Sequence, residues 1–149
     1  MRHLFIFFIF IFVFDAVEAD ERSLNEKILG TWIQSKSQDG EIFYQESTYL
    51  SDGRKCSYAF TKNASGELDI DFYLSHWFID KTNRVTAEVG LSSSEYVLKE
   101  EKFIDMITEL TESKLVIEMV EPFKDLPDIY FKSPYEKGQE ICDLVEKNT

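Results

Sequence analysis

Residues 54–73 read RKCSYAFTKNASGELDIDFY. Leu68, Ile70 and Phe72 alternate with Asp69, Asp71 and Tyr73. A period of two puts the apolar side chains on one face of a strand and the mostly polar ones on the other. The run from Arg54 to Thr61 alternates in the same way, with Cys56, Tyr58 and Phe60 sharing a face. Between the two lies Asn63-Ala64-Ser65-Gly66, a cluster of turn formers. The stretch is strand, turn, strand, and it sets the reading of its neighbours.

Upstream, Ser51-Asp52-Gly53 is a hairpin turn, and Ile42 to Leu50 is rich in the aromatic and β-branched residues that suit a strand. Gly40 marks another turn, and Gly30-Thr31-Trp32-Ile33 opens a first strand. Before it, Ser23 is placed to cap a short helical turn through Ile28, with Glu26 at the capping-box position. Downstream, His76 to Ile79 either continues the strand or begins a new one after a bulge. Lys81-Thr82-Asn83 turns the chain into Arg84–Val89, where Val85, Ala87 and Val89 face together. Ser92 to Ser94 is a polar break. Glu95 to Lys102 is open between helix and strand, with Tyr96 and Val97 leaning toward strand. Phe103–Leu110 and Leu115–Val120 form a pair joined at residues 111–114, and Pro122 and Pro127 frame a loop before a short strand, Ile129–Lys132. Pro134 suits the first turn of a helix from Tyr135 to Val145, which Gly138 weakens.

The tally is eight or nine short antiparallel strands and a C-terminal helix, without the strand–helix alternation of a parallel α/β sheet. A strongly bent sheet must pair or cover its edges, and closure into a barrel does so most completely.

The N-terminus has a different character. Met1, Arg2 and His3 precede an unbroken apolar run from Leu4 to Phe14, and Val17-Glu18-Ala19 ends in a small residue, a spacer and a small residue. This is the pattern of a secretory signal peptide over residues 1–19. The run falls short of the roughly 20 residues that a membrane-spanning helix needs. Cleavage after Ala19 would leave one domain over residues 20–149, beginning at Asp20, with no membrane span and a secreted or periplasmic destination. The formal charge of -12 and the lack of clustered Lys or Arg argue against nucleic acid as a partner. They equally disfavour an anionic membrane surface.

In an oxidising compartment, two cysteines, Cys56 and Cys142, suggest one bridge. Two free thiols are the alternative, because sequence does not show how close the two Cα atoms lie. Asn63-Ala64-Ser65 matches the N-glycosylation acceptor pattern in a predicted turn. No catalytic constellation stands out. His76 is the single histidine after the leader, which does not make a zinc ligand set. Ser75 and His76 are strand neighbours whose side chains point apart. The alternation makes Asp69 and Asp71 a solvated outer face rather than an acid/base pair. The glycines are spread among turns and form no phosphate loop. No metal and no cofactor is expected, and the chain reads as a non-enzyme.

Leu29-Gly30-Thr31-Trp32, Thr48-Tyr49-Leu50-Ser51-Asp52-Gly53, Trp77-Phe78-Ile79, the stretch from Ile107 to Val116, and Ile129-Tyr130-Phe131 are spread along most of the chain after the leader. This pattern resembles the lipocalin-like (calycin-type) family of small β-barrels. The resemblance implies that Trp32 closes one end of the barrel. It also makes a strand-to-tail disulfide, imitated by Cys56 and Cys142, a familiar feature. The late arginine that packs across this tryptophan in the family has no counterpart here, where Phe131 and Lys132 follow Tyr130.

The leading expectation is therefore an exported binding protein for a small apolar or amphipathic ligand, with Tyr58, Phe72 and Trp77 as candidate contacts. The rival is an acidic protein-interaction module, such as an inhibitor or an envelope accessory protein, that engages a basic protein partner.

Overall fold

A computed structural model describes residues 24–122, 124–135 and 138–149. The expected leader, its expected cleavage after Ala19 and the expected Ser23 cap lie outside the described residues. A short helix α1 (residues 24–28) leads into eight strands. These are β1 (Gly30–Gln38), β2 (Glu41–Tyr49), β3 (Arg54–Lys62), β4 (Leu68–Ile79), β5 (Arg84–Ser92), β6 (Lys102–Leu110), β7 (Lys114–Glu121) and β8 (Asp128–Lys132). Each strand pairs antiparallel with the next, and β8 returns to β1, so the sheet is a closed barrel in simple up-and-down order. Helix α2 (Gly138–Asn148) follows.

Turn chemistry fixes the hairpins. Between β1 and β2, Asp39 and Gly40 both take positive φ, 51° and 84°. That is the two-residue turn whose twist matches its flanking strands. The β4 segment is continuous through His76–Ile79, and the irregularity falls on its partner. Leu74 pairs with Leu91 and Ser75 with Val89, which leaves Gly90 as the extra residue in β5. Glu95 to Lys99 form no strand. They belong to the loop between β5 and β6, where Tyr96 is exposed and Val97 half-buried. Helix α2 is described from Gly138 and runs to Asn148, with Pro134 and Tyr135 in a bend before it.

One end of the barrel is filled with side chains. Ile28 from α1 packs with Trp32, Tyr49, Trp77, Val85, Ile107 and Leu115, all inward-facing. Trp32 is fully buried, and its indole N–H donates to the Ile28 carbonyl at 2.7 Å. The Trp77 indole N–H is shared between the carbonyls of Leu50 (3.1 Å) and Arg54 (3.0 Å). Tyr49 meets Trp77 edge to face at 5.2 Å. Lys132 stands where the sequence offers no arginine. Its ammonium lies 5.1 Å from the centre of the Trp32 ring and donates to the Lys27 carbonyl at 3.4 Å. The cation across the tryptophan is therefore present, carried by lysine.

A second core lies outside the barrel. Ile141, Cys142 and Val145 of α2 are buried against Cys56 and Leu74, with Leu50, Tyr58 and Phe72 at its edge. The Cys56–Cys142 disulfide, with Cα atoms 5.1 Å apart, pins the helix to β3. This helix decides the facing of β3 and β4. Cys56, Tyr58 and Phe60 do share a face with Ile70, Phe72 and Leu74, but it is the outer one. Asp69 and Asp71 keep phase with Tyr73, Ser75 and Trp77 on the inner side, at the rim, rather than on an outer solvated face. The alternation defined two faces, and the apolar side of a helix lying on one of them made it the outside.

Candidate functional site

Beyond the Trp32–Trp77 end, the barrel interior holds a cavity of about 240 Å³. Its wall is built from the inward positions of several strands. Ala87 and Val89 of β5, Phe103 of β6, and Ile117 and Met119 of β7 give an apolar side. Gln45 of β2, Lys55 and Ser57 of β3, Tyr73 and Ser75 of β4, Asp105 of β6, and Asp128 and Tyr130 of β8 give a polar one. Val97 reaches the cavity from the β5–β6 loop, and Phe43 and Ala59 complete the lining.

Most polar groups here hold one another. Ser47 and Ser57 hydroxyls are 2.7 Å apart. The Tyr130 hydroxyl donates to Gln45 at 3.1 Å. Asp128 accepts from Gln34 Nε2 at 2.7 Å and pairs with Lys36. Burial pushes the Tyr130 phenol well above its ordinary value, and nearby Asp128 adds to the effect. Tyr73 is pushed up to about 12, foremost by burial, with Asp71 and Asp69 contributing.

Asp105 is different. It is 5% exposed, yet among the described residues nothing donates a hydrogen bond to its carboxylate. Its pKa is raised, first by burial and also by Asp128, while Lys55 pulls the other way. Lys55 makes no contact ion pair with it, and its ammonium lies 5.1 Å from the centre of the Tyr49 ring. Burial opposes the Lys55 charge, but Tyr49 and Asp105 outweigh it and leave the lysine pKa raised. Sequence reasoning missed both residues, although a signal existed. Asp105 is a carboxylate set between Phe103 and Ile107, two apolar side chains in phase with it on the same strand.

The residues expected at the site divide. Trp77 points inward but into the packed end, beside Trp32 and away from the cavity wall. Tyr58 and Phe72 lie outside the barrel, at the edge of the α2 contact. There Tyr58 donates to Glu46 at 2.5 Å and Tyr44 donates to the same carboxylate at 3.1 Å. Tyr44 stacks on Phe60 at 5.1 Å. His76 is exposed on the outer side of β4, while Ser75 is buried on the inner side, so the two point apart. Asn63 sits in the β3–β4 turn, and its side-chain oxygen accepts from the Ser65 hydroxyl at 2.7 Å. Among the described residues, no cluster of His, Cys, Asp or Glu has the makings of a metal site, and no helix is long and apolar enough to cross a membrane.

No family model matches this chain, and no curated protein matches it.

Proposed function

We propose that this chain is a lipocalin-like, exported, non-enzymatic protein that binds a small amphipathic ligand inside its barrel. The observation that carries this reading is the cavity of about 240 Å³ with one apolar and one polar wall. Such a lining buries a ligand's hydrocarbon and orients its polar end. At about 30 Å³ per water molecule, the space suits a ligand on the order of ten heavy atoms. The signal-like segment at residues 1–19 supports export. The disulfide fits an oxidising compartment.

Native mass spectrometry of protein purified gently from its own host tests the reading. A reproducible small-molecule adduct that leaves on denaturation is the expected result. Protein that stays bare, and that takes up no small aromatic probe in solution, overturns it.

A second reading, docking to a protein partner, is favoured by one feature. Ile42, Leu68 and Ile70 are exposed on the outer face beside the Tyr44–Phe60 stack. Co-purification of a stoichiometric protein partner would favour this reading.

A further inference from the structure

We propose that the barrel cavity selects a small organic amine, with its ammonium seated on Asp105 and its apolar body against Ala87, Val89, Phe103 and Met119. This deepens the cavity reading and rests on it.

Asp105 is an expensive residue to keep. A carboxylate taken out of water without hydrogen bonds is destabilising. Buried polar groups in folded proteins nearly always have partners. Asp105 is 95% removed from solvent, and no described donor reaches it. Its oxygens are not sealed in protein either. Among the described residues the one enclosed side-chain atom without a partner is Arg84 Nε, whereas Asp105 lines the cavity. Its lone pairs therefore face the space that a ligand would fill.

The surrounding charges suit a cation. Asp128 lines the same cavity, and Asp69 and Asp71 stand near Tyr73 at the rim. Lys55 and Lys36 are the opposing charges. Lys36 is tied to Asp128. Lys55 rests near the Tyr49 ring and acts on Asp105 only across a gap. At that distance it favours the ionised carboxylate without occupying its hydrogen-bond positions. An ammonium brings those hydrogen bonds and a charge together, and charge-assisted bonds are the strong kind. The rings of Phe103 and Tyr73 add surfaces on which a cation is favoured. The chain's net charge of -12 steers cations toward it.

Three probes with one phenyl body separate the possibilities: phenethylamine, phenethyl alcohol and phenylpropionate. Each is titrated into the purified protein by calorimetry and ligand-observed NMR. The expected result is at least about tenfold tighter binding of the amine than of the alcohol, a difference of about 1.4 kcal/mol. Asp105→Asn should abolish that preference and leave the alcohol's affinity unchanged. Retained alcohol binding also reports that the variant is folded.

A pH series on the unaltered protein gives a second measure that needs no variant. The amine's advantage should fade as the pH falls and Asp105 takes up a proton. The groups facing Asp105 are Tyr49 from β2, Lys55 from β3, and Asp128 and Tyr130 from β8. Asp128→Asn controls for the other carboxylate among them.

Equal binding of amine and alcohol, or a preference that survives Asp105→Asn, overturns the amine proposal and leaves the cavity reading standing. Preference for phenylpropionate also overturns it and moves the anchor to Lys55. If none of the three binds, the amine proposal and the cavity reading both fail.

Discussion

At the scale of single residues, the closed end of the barrel depends on a cation and a glycine. Lys132 covers the Trp32 ring and reaches the Lys27 carbonyl. Lys132→Met keeps the aliphatic stem but loses both the cation–π contact and the hydrogen bond. It should lower stability by about 1 kcal/mol in urea denaturation. Lys132→Arg, which restores a cation, should recover most of that loss. Gly30 has φ +108°, and a Cβ there would sit 3.1 Å from Lys132 Cε. Gly30→Ala therefore meets backbone strain, with a tight contact that Lys132 must relieve by shifting slightly, and should cost about 1–3 kcal/mol. Gly30 is unsurprising in sequence, since Gly30-Thr31-Trp32 already carries the resemblance. The role of Lys132 was not legible, because it needs β8 to return beside β1. The sequence places the two residues far apart.

At the scale of elements, α2 is a short helix whose value lies in what it covers. Its Ile141, Cys142 and Val145 bury the outer side of β3 and β4, and the disulfide holds it there. Replacing both cysteines by serine removes a cross-link spanning 86 residues of sequence. The expected loss is about 2–4 kcal/mol. Hydrogen exchange should show α2 amides opening before those of the barrel strands, because the strand ladder closes without the helix.

Gly138 makes a sharper test. By intrinsic propensity, alanine in a helix is favoured over glycine by about 1 kcal/mol. Here a Cβ would lie 3.1 Å from Leu50 Cδ2 and 3.2 Å from Thr48 Cγ2. Thr48 is fully buried and hydrogen-bonded to Thr31 at 2.8 Å, so it has little room to yield. Gly138→Ala should therefore destabilise by about 1 kcal/mol in thermal melts, against the propensity scale. The helix was readable in the sequence from the spacing of Ile141, Leu144 and Val145. The close approach of its first residue to β2 was not.

At the scale of the whole molecule, buried phenols couple stability to alkaline pH. Tyr44, Tyr49, Tyr58, Tyr73 and Tyr130 all have raised pKa values, in each case chiefly from burial. For an acid whose folded pKa exceeds its unfolded one, the native state holds its proton while the unfolded chain releases it. Stability is then fully present below the usual value near 10, and it is lost as the pH rises through the folded values. Five groups act in the same direction. Circular dichroism followed from pH 9 to pH 12 should show cooperative unfolding, with tyrosinate absorbance rising alongside it. Absorbance that rises fully while the barrel stays intact would mean that these phenols are open to solvent.

The sequence by itself determined the alternating strands and most of their turns, and through them the expectation of a bent antiparallel sheet closed on itself. Those features are local or periodic, and alternation with turn chemistry writes them directly into the chain. The tertiary structure alone decided which face of each strand is inside. An alternating strand has two faces, and the apolar one goes wherever apolar cover exists. On β3 and β4 that cover is helix α2, held by Cys142, so Tyr58 and Phe72 turn outward. The same choice turns Lys55, Ser57, Tyr73 and Ser75 toward the cavity, where they meet Asp105 from β6. The polar wall of the site is made of residues that look like solvent-facing positions in sequence, because a barrel that keeps a cavity is free to line part of it with polar groups.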